Sequence, residues 1–143
     1  MAREFFLLRR AWDRDMSVPE PILALRTAVC MEFIGDNEPA PRLRDVELSD
    51  VEAQHAFNEI IVCVDRLWQE VGVAHSDLSD YNILWWREVP WIIDFPQAAD
   101  RRSNPHSESL LVRDVTRVCE HFSRYFQTDA EKILSERFGI MTR

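Results

Sequence analysis

The sequence predicts an α+β fold, mainly helical, with one β-hairpin near its middle and short strands near its start. Three observations carry that expectation. Ser49 followed by Glu52 is a capping box, and an apolar stripe runs behind it. Two short apolar runs, residues 81–86 and 89–95, meet at Arg87-Glu88 as the arms of a hairpin do. Asn104-Pro105 is a cap and first-turn pair ahead of a second amphipathic run.

Element by element, residues 3 to about 14 read as a helix. Phe5, Leu8 and Trp12 fall on one face, and Arg9, Asp13 and Arg14 face water. Pro19 and Pro21 end that region. Residues 22–25 and 28–33 read as two strands around Arg26-Thr27, followed by a turn at Gly35-Asp36-Asn37 and a loop over 39–48. The capped helix runs from about Asp50 to Glu70 with Val51, Ile60, Val64, Leu67 and Trp68 in its stripe, and Gly72 stops it. After the hairpin, Pro96 ends its second arm. The helix opened by Asn104 reaches about Phe126, and Thr128 with Glu131 caps a last helix closed by Gly139.

The 143 residues suit one domain, and 46% apolar with 29% charged residues is a globular composition. With 25 acidic against 17 basic residues the formal charge is −8, so net charge gives no signal for nucleic acid. Cys30, Cys63 and Cys119 form neither a CxxC pair nor a disulfide framework. No apolar run is long enough to span a membrane, and no export signal opens the chain, so a cytoplasmic location is expected. Gly35, Gly72 and Gly139 cannot make a glycine-rich phosphate loop, and Lys132 is the one lysine.

The chemistry gathers at His75-Ser76-Asp77-Leu78-Ser79-Asp80-Tyr81-Asn82, with Asp94 following Ile92-Ile93, 17 residues after Asp77. Apolar runs on either side anchor this polar loop, so Asp77, Asn82 and Asp94 can share one cleft. Phosphoryl transfer uses such a set. One carboxylate, here Asp77, orients the nucleophile or accepts its proton, while an Asn oxygen and a second carboxylate, Asn82 and Asp94, hold a hard divalent ion. The pattern H-x-D-L-x-x-x-N is that of the protein-kinase catalytic loop, and Asp94-Phe95-Pro96-Gln97 stands where kinases carry Asp-Phe-Gly, with Pro96 in place of the glycine.

That departure directs the comparison. The loop, the run Ile92-Ile93-Asp94-Phe95-Pro96-Gln97-Ala98, then Asn104-Pro105 and Leu110-Leu111-Val112-Arg113-Asp114-Val115 resemble the atypical RIO-type serine/threonine kinases, especially their bacterial members. Met31-Glu32-Phe33-Ile34-Gly35 looks like that family's hinge, and Pro39-Ala40-Pro41-Arg42-Leu43-Arg44-Asp45-Val46 like its linker. The resemblance covers about Glu4 to Phe126.

What the resemblance implies is a kinase-like C-lobe over about 34–143, preceded by a hinge and a remnant of the N-lobe over about 1–33. It implies ATP with magnesium, or manganese in its place, as cofactors. Backbone groups of Glu32 and Ile34 would meet the adenine, and Leu84 would lie under it. Asp77, Asn82 and Asp94 would be catalytic, with Asn82 and Asp94 on the metal. Glu4 would match the helix glutamate that pairs with the phosphate lysine, and both that lysine and the glycine-rich loop would come from outside these residues. Archaeal and eukaryotic family members act in ribosome maturation, and some behave mainly as ATPases.

Three functional readings follow. The first is an ATP- and magnesium-dependent kinase or ATPase, weak as an isolated chain, whose partners are a protein substrate or a separately encoded N-lobe. The second is a non-catalytic protein- or nucleotide-binding module. The third is a gene fragment without function. His75 reads as a structural support of the loop, and Asp114 either bonds back to the loop or is an exposed helix aspartate. Gln97 sits near the metal site or in a turn. Arg101 and Arg102 make a small basic spot expected at the cleft edge, and Trp85 and Trp86 point to opposite faces of the hairpin.

Overall fold

Helix α1, Ala2–Trp12, begins this computed structural model, which describes residues 2–142. Leu7, Leu8 and Ala11 form its buried stripe. The face expected from Phe5, Leu8 and Trp12 differs in part: Leu8 is buried, but Trp12 is exposed. Phe5 and Trp12 sit at the margin of the stripe, where the Arg9 guanidinium covers both, 5.7 Å and 5.6 Å from the ring centres. Strands β1 (Pro21–Ala24) and β2 (Val29–Met31) pair antiparallel as a separate two-stranded sheet. Most of β1 is exposed, with Ile22 and Leu23 at 58% and 52%.

Gly35 turns the chain after β2. Its φ is +143°, and a Cβ there would overlap the Glu38 carbonyl oxygen and lie 2.8 Å from the Ala40 nitrogen. The loop is closed by the Ala40 N–H donating to the Ile34 carbonyl at 3.0 Å. Gly35→Ala is therefore expected to cost about 1–3 kcal/mol. Urea denaturation checks this, and an unchanged midpoint would refute the close approach.

Helix α2, Asp50–Arg66, opens on the predicted capping box, with the Glu52 N–H on Ser49 Oγ at 3.2 Å and the Ser49 N–H on Glu52 Oε2 at 2.8 Å. Ala53, Ala56, Ile60, Ile61 and Val64 are buried, whereas Val51, expected in the stripe, is 81% exposed because it lies in the first turn, beyond the core. The last turn widens over Leu67–Val71 into π geometry and stops at Gly72, with φ of +85°. The sequence gives no sign of the next pairing, in which β3 (Val73–Ala74) lies antiparallel to β6 (Ala99–Asp100). Two-residue strands are too short to show a period.

The hairpin is β4 (Ile83–Trp86) and β5 (Val89–Ile92), in register Ile83↔Ile92 to Trp86↔Val89. Arg87 and Glu88 both take positive φ, 51° and 61°, as a two-residue hairpin turn requires. Trp85 points into the core, and Trp86 lies half-buried beneath Arg87, whose guanidinium is 4.2 Å from its ring.

Helix α3 spans Ser107–Phe122, shorter at both ends than expected. Asn104 caps a turn instead of the helix, since its Oδ1 accepts the His106 N–H at 2.8 Å and its carbonyl the Ser107 N–H at 3.1 Å. Helix α4, Ala130–Phe138, is capped by Asp129, which accepts the Lys132 N–H at 3.0 Å. Thr128, the expected cap, donates its hydroxyl to the Cys119 carbonyl. All four helices and the hairpin contribute to one hydrophobic cluster, with Phe122 fully buried between Phe57 and Phe126. Among the described residues no helix is long and apolar enough to cross a membrane.

Candidate functional site

The loop between β3 and β4 is held from two sides. From α3, the fully buried Asp114 accepts the Ser76 N–H on Oδ2 at 2.8 Å and the Leu78 N–H on Oδ1 at 3.1 Å. Burial pushes its carboxyl above the usual range, opposed by those two N–H groups and by the nearby His75 and Arg113. Arg113 donates to the Ser76 carbonyl, and Ser76 itself is bent to φ of +78°. From the hairpin side, the buried His75 ring joins the loop to the strand before Asp94. Its Nδ1 accepts the Asp77 N–H at 3.2 Å, which leaves Nε2–H to donate to the Ile93 carbonyl at 2.8 Å. His75 thus supports the backbone, as the sequence suggested, and Phe95 packs on its ring with centroids 4.8 Å apart.

These anchors set three polar side chains. Asn82 is buried, and its amide nitrogen donates to the Asp77 carbonyl at 2.8 Å and approaches Asp77 Oδ2 at 3.3 Å. That use of the nitrogen leaves Oδ1 as an acceptor with no donor among the described residues. The Asn82 carbonyl in turn accepts the Ile93 N–H at 3.0 Å, which places Asn82 beside the residue preceding Asp94. Asp94 is exposed and held at φ of +69°, a conformation uncommon for a non-glycine residue. Asp77 keeps about half of its side chain exposed, with Arg117 Nη1 at 3.5 Å from Oδ1.

Asp94 also lines an apolar cleft of about 330 Å³ together with Glu4, Met31, Glu32, Ile34 and Leu84. The three residues assigned by resemblance to the adenine therefore share a wall with Asp94. The Glu32 N–H is tied to the Glu20 carbonyl at 2.8 Å, and its carboxylate accepts the Glu20 N–H. Among the described residues neither the Glu32 carbonyl nor the Ile34 N–H has a backbone partner.

The donor types, one amide oxygen and one exposed carboxylate, are those a hard divalent cation takes. Among the described residues no group of three or more His, Cys, Asp or Glu side chains is placed so that it could hold a metal ion. Arg101 and Arg102 do not line the cleft edge. They follow β6 and line a separate hollow. Gln97 is exposed and lines no part of the cleft.

Two contacts escaped the sequence reading. Arg117 reaches Asp77, and the buried His121 bonds Asp80 Oδ2 through Nδ1 at 2.9 Å. Burial holds the His121 imidazole below its ordinary value despite the Asp80 bond, so Nδ1–H donates, and Nε2 is buried with no described partner. The signal was present as spacing: Asp114, Arg117 and His121 stand at i, i+3 and i+7, one helix face turned to the loop.

Comparison with known proteins gives the same direction. A family model described as the RIO domain matches residues 1–134. The mouse serine/threonine-protein kinase RIO3 is 33% identical over 136 residues, 94% of this chain and 25% of that protein. The human serine/threonine-protein kinase RIO1 is 33% identical over 124 residues, 86% of this chain and 22% of that protein. The RIO-type serine/threonine-protein kinase Rio1 of Methanocaldococcus jannaschii is 34% identical over 123 residues, 85% of this chain and 41% of that protein. The chain thus spans about a quarter of the animal relatives and under half of the archaeal one. With the family model matching nearly its whole length, the chain belongs to the RIO domain family.

Proposed function

We propose that these residues form the hinge and C-lobe of a RIO-type serine/threonine kinase or ATPase, and bind ATP with magnesium between the Glu32–Ile34 segment and the Asp77–Asp94 loops. The observation that carries this reading is the chain of contacts joining Asp77 through Asn82 to the Ile93 backbone, next to Asp94, which lines a cleft with Ile93, Leu84, Glu32 and Ile34. The Glu32 carbonyl and the Ile34 N–H take the two edge groups of the adenine, and Leu84 packs under the ring. Asn82 Oδ1 and the Asp94 carboxylate hold the divalent ion, which when bound neutralises charge on the phosphates. Asp77 orients the attacking hydroxyl or water and accepts its proton, and the Asn82 amide fixes the carboxylate for that task.

By themselves the 143 residues bring no phosphate lysine to the cleft, since Lys132 lies on α4. Without that charge the phosphates are held loosely and turnover is slow. The lysine-bearing half must be supplied to this site, within a longer polypeptide or in trans. The exposed apolar side chains of β1 and α1, Ile22, Leu23 and Phe6 at 58%, 52% and 62%, support this as a surface that another lobe covers. The alternative, a binding module without catalysis, shares the cleft but not the turnover.

Calorimetric titration with ATP and magnesium, with Asp94→Asn alongside, tests the reading. Saturable, magnesium-dependent binding that the variant loses is the expected result. A flat titration of a sample with a native spectrum would overturn it.

A further inference from the structure

A hollow of about 430 Å³, larger than the cleft, shares no lining residue with it. Arg10 of α1 and Arg101 and Arg102 after β6 line it, over a floor at Gly72, where a Cβ would meet nothing within 4 Å. Arg101 is fixed in place: its guanidinium lies 4.8 Å from the Trp68 ring and donates to the Trp68 carbonyl at 3.3 Å and to Gln69 Oε1 at 3.2 Å. Among the described residues, no carboxylate pairs with any of these three arginines.

Two acids lie on the same rim. Glu70 faces Arg66, at 2.5 Å to Oε2 and 3.5 Å to Oε1. Asp100 Oδ1 accepts the N–H groups of Arg102 and Ser103 at 2.8 Å and 3.0 Å. Of the carbonyls at the end of the preceding helical turn, Leu67 accepts from the Gly72 N–H, Trp68 from the Arg101 side chain, and Gly72 from the Arg101 N–H. Three arginines from two segments therefore line one concavity with two carboxylates, one paired with Arg66 and the other bonded to backbone N–H groups, in a chain of formal charge −8.

With Glu70 paired to Arg66, the three arginines outweigh Asp100 and leave a positive excess on this rim. Guanidinium forks match tetrahedral phosphate oxygens, and Arg101 is held in advance of binding. A single concavity suits one phosphate group, where a nucleic-acid backbone needs an extended track that the net acidic chain does not offer. We propose that this hollow binds a phosphate dianion, either free phosphate or the phosphomonoester of a phosphorylated serine or threonine.

The test is an NMR titration of the ¹⁵N-labelled protein with inorganic phosphate and, separately, a phosphoserine peptide and its unphosphorylated form. The expected result is a saturable shift of the Arg101 and Arg102 amides, with a Kd below about 1 mM for at least one phosphate probe. The arm that binds more tightly identifies the source. In an Arg10→Ala/Arg102→Ala variant the affinity falls at least about tenfold while the remaining spectrum is unchanged. Asp94→Asn keeps the phosphate shifts at the hollow, so loss of ATP binding at the cleft and failure of this site read differently. Shifts that never saturate with either probe, or an equal affinity in the double variant, overturn the proposal. Arg10→Lys/Arg102→Lys, which keeps the charge, serves if the alanine variant unfolds, and an affinity within about twofold of the parent would also count against guanidinium recognition.

Discussion

Asp114→Ala is expected to lower unfolding stability by about 2–5 kcal/mol, because it strands two buried N–H groups, each worth about 1–3 kcal/mol when left unpaired. A domain of this size holds about 5–15 kcal/mol in all, so the variant loses a large share of it. The stranded groups belong to Ser76 and Leu78, the residues on either side of Asp77, and Asp114 is fully buried beneath them. Asp114→Asn keeps one acceptor oxygen and turns an N–H₂ toward the other amide, so its loss should fall between wild type and alanine. Urea denaturation with amide exchange at Ser76 and Leu78 measures both effects. Equal stability of the alanine variant would show that Asp114 does not organise the loop. The sign of the accompanying pH effect follows from burial, which raises the folded-state pKa above the unfolded one. Folding then takes up a proton in the window just above the ordinary carboxylate range, so this group makes stability fall as pH rises through that window. The pH slope of stability should be smaller in Asp114→Ala.

Asp77→Asn is expected to reduce ATP turnover by about 10²–10⁴-fold, the usual range for removing a positioned general base. On the proposed function, the measurement is made in a preparation that also carries a phosphate-binding lysine. ATP–magnesium affinity should stay within about threefold, a split that separates loss of a transition-state interaction from loss of binding. The split follows from placement: Asp77 is half exposed and faces Arg117 and the Asn82 amide, while Asp94 and Leu84 line the cleft. Asp94→Asn should show the opposite pattern, with binding lost first. Undiminished turnover in Asp77→Asn would remove Asp77 from the proposed chemistry, whatever the cleft binds.

Much of this was legible in the residues. The capping box at Ser49 and Glu52 and the αL stop at Gly72 are local chemistry, in which neighbouring groups satisfy each other's bonds, and the sequence located both. The hairpin turn at Arg87-Glu88 was found from its flanking apolar runs, although neither residue is one that favours positive φ. Helix ends near Asn104 and Thr128 were misplaced for one reason. A side chain that can cap has several N–H groups or carbonyls within reach, and tertiary packing chooses among them, as Thr128 bonding the Cys119 carbonyl illustrates. The buried face of α1 was misread in part because Phe5 and Trp12 are apolar by composition, yet an arginine cover served them as well as the core.

By itself, then, the sequence determined the order of the four helices and the β4–β5 hairpin, the loop that carries Asp77 and Asn82, and the family to which the chain belongs. Those properties rest on short-range spacing. The tertiary structure alone decided that β3 pairs with β6, that Asp114, Arg117 and His121 turn toward one loop, and that Arg101 and Arg102 leave the cleft to join Arg10. Each of these contacts joins residues 25 to 92 positions apart. At that separation no local rule fixes a partner, and the burial of one shared core selects it.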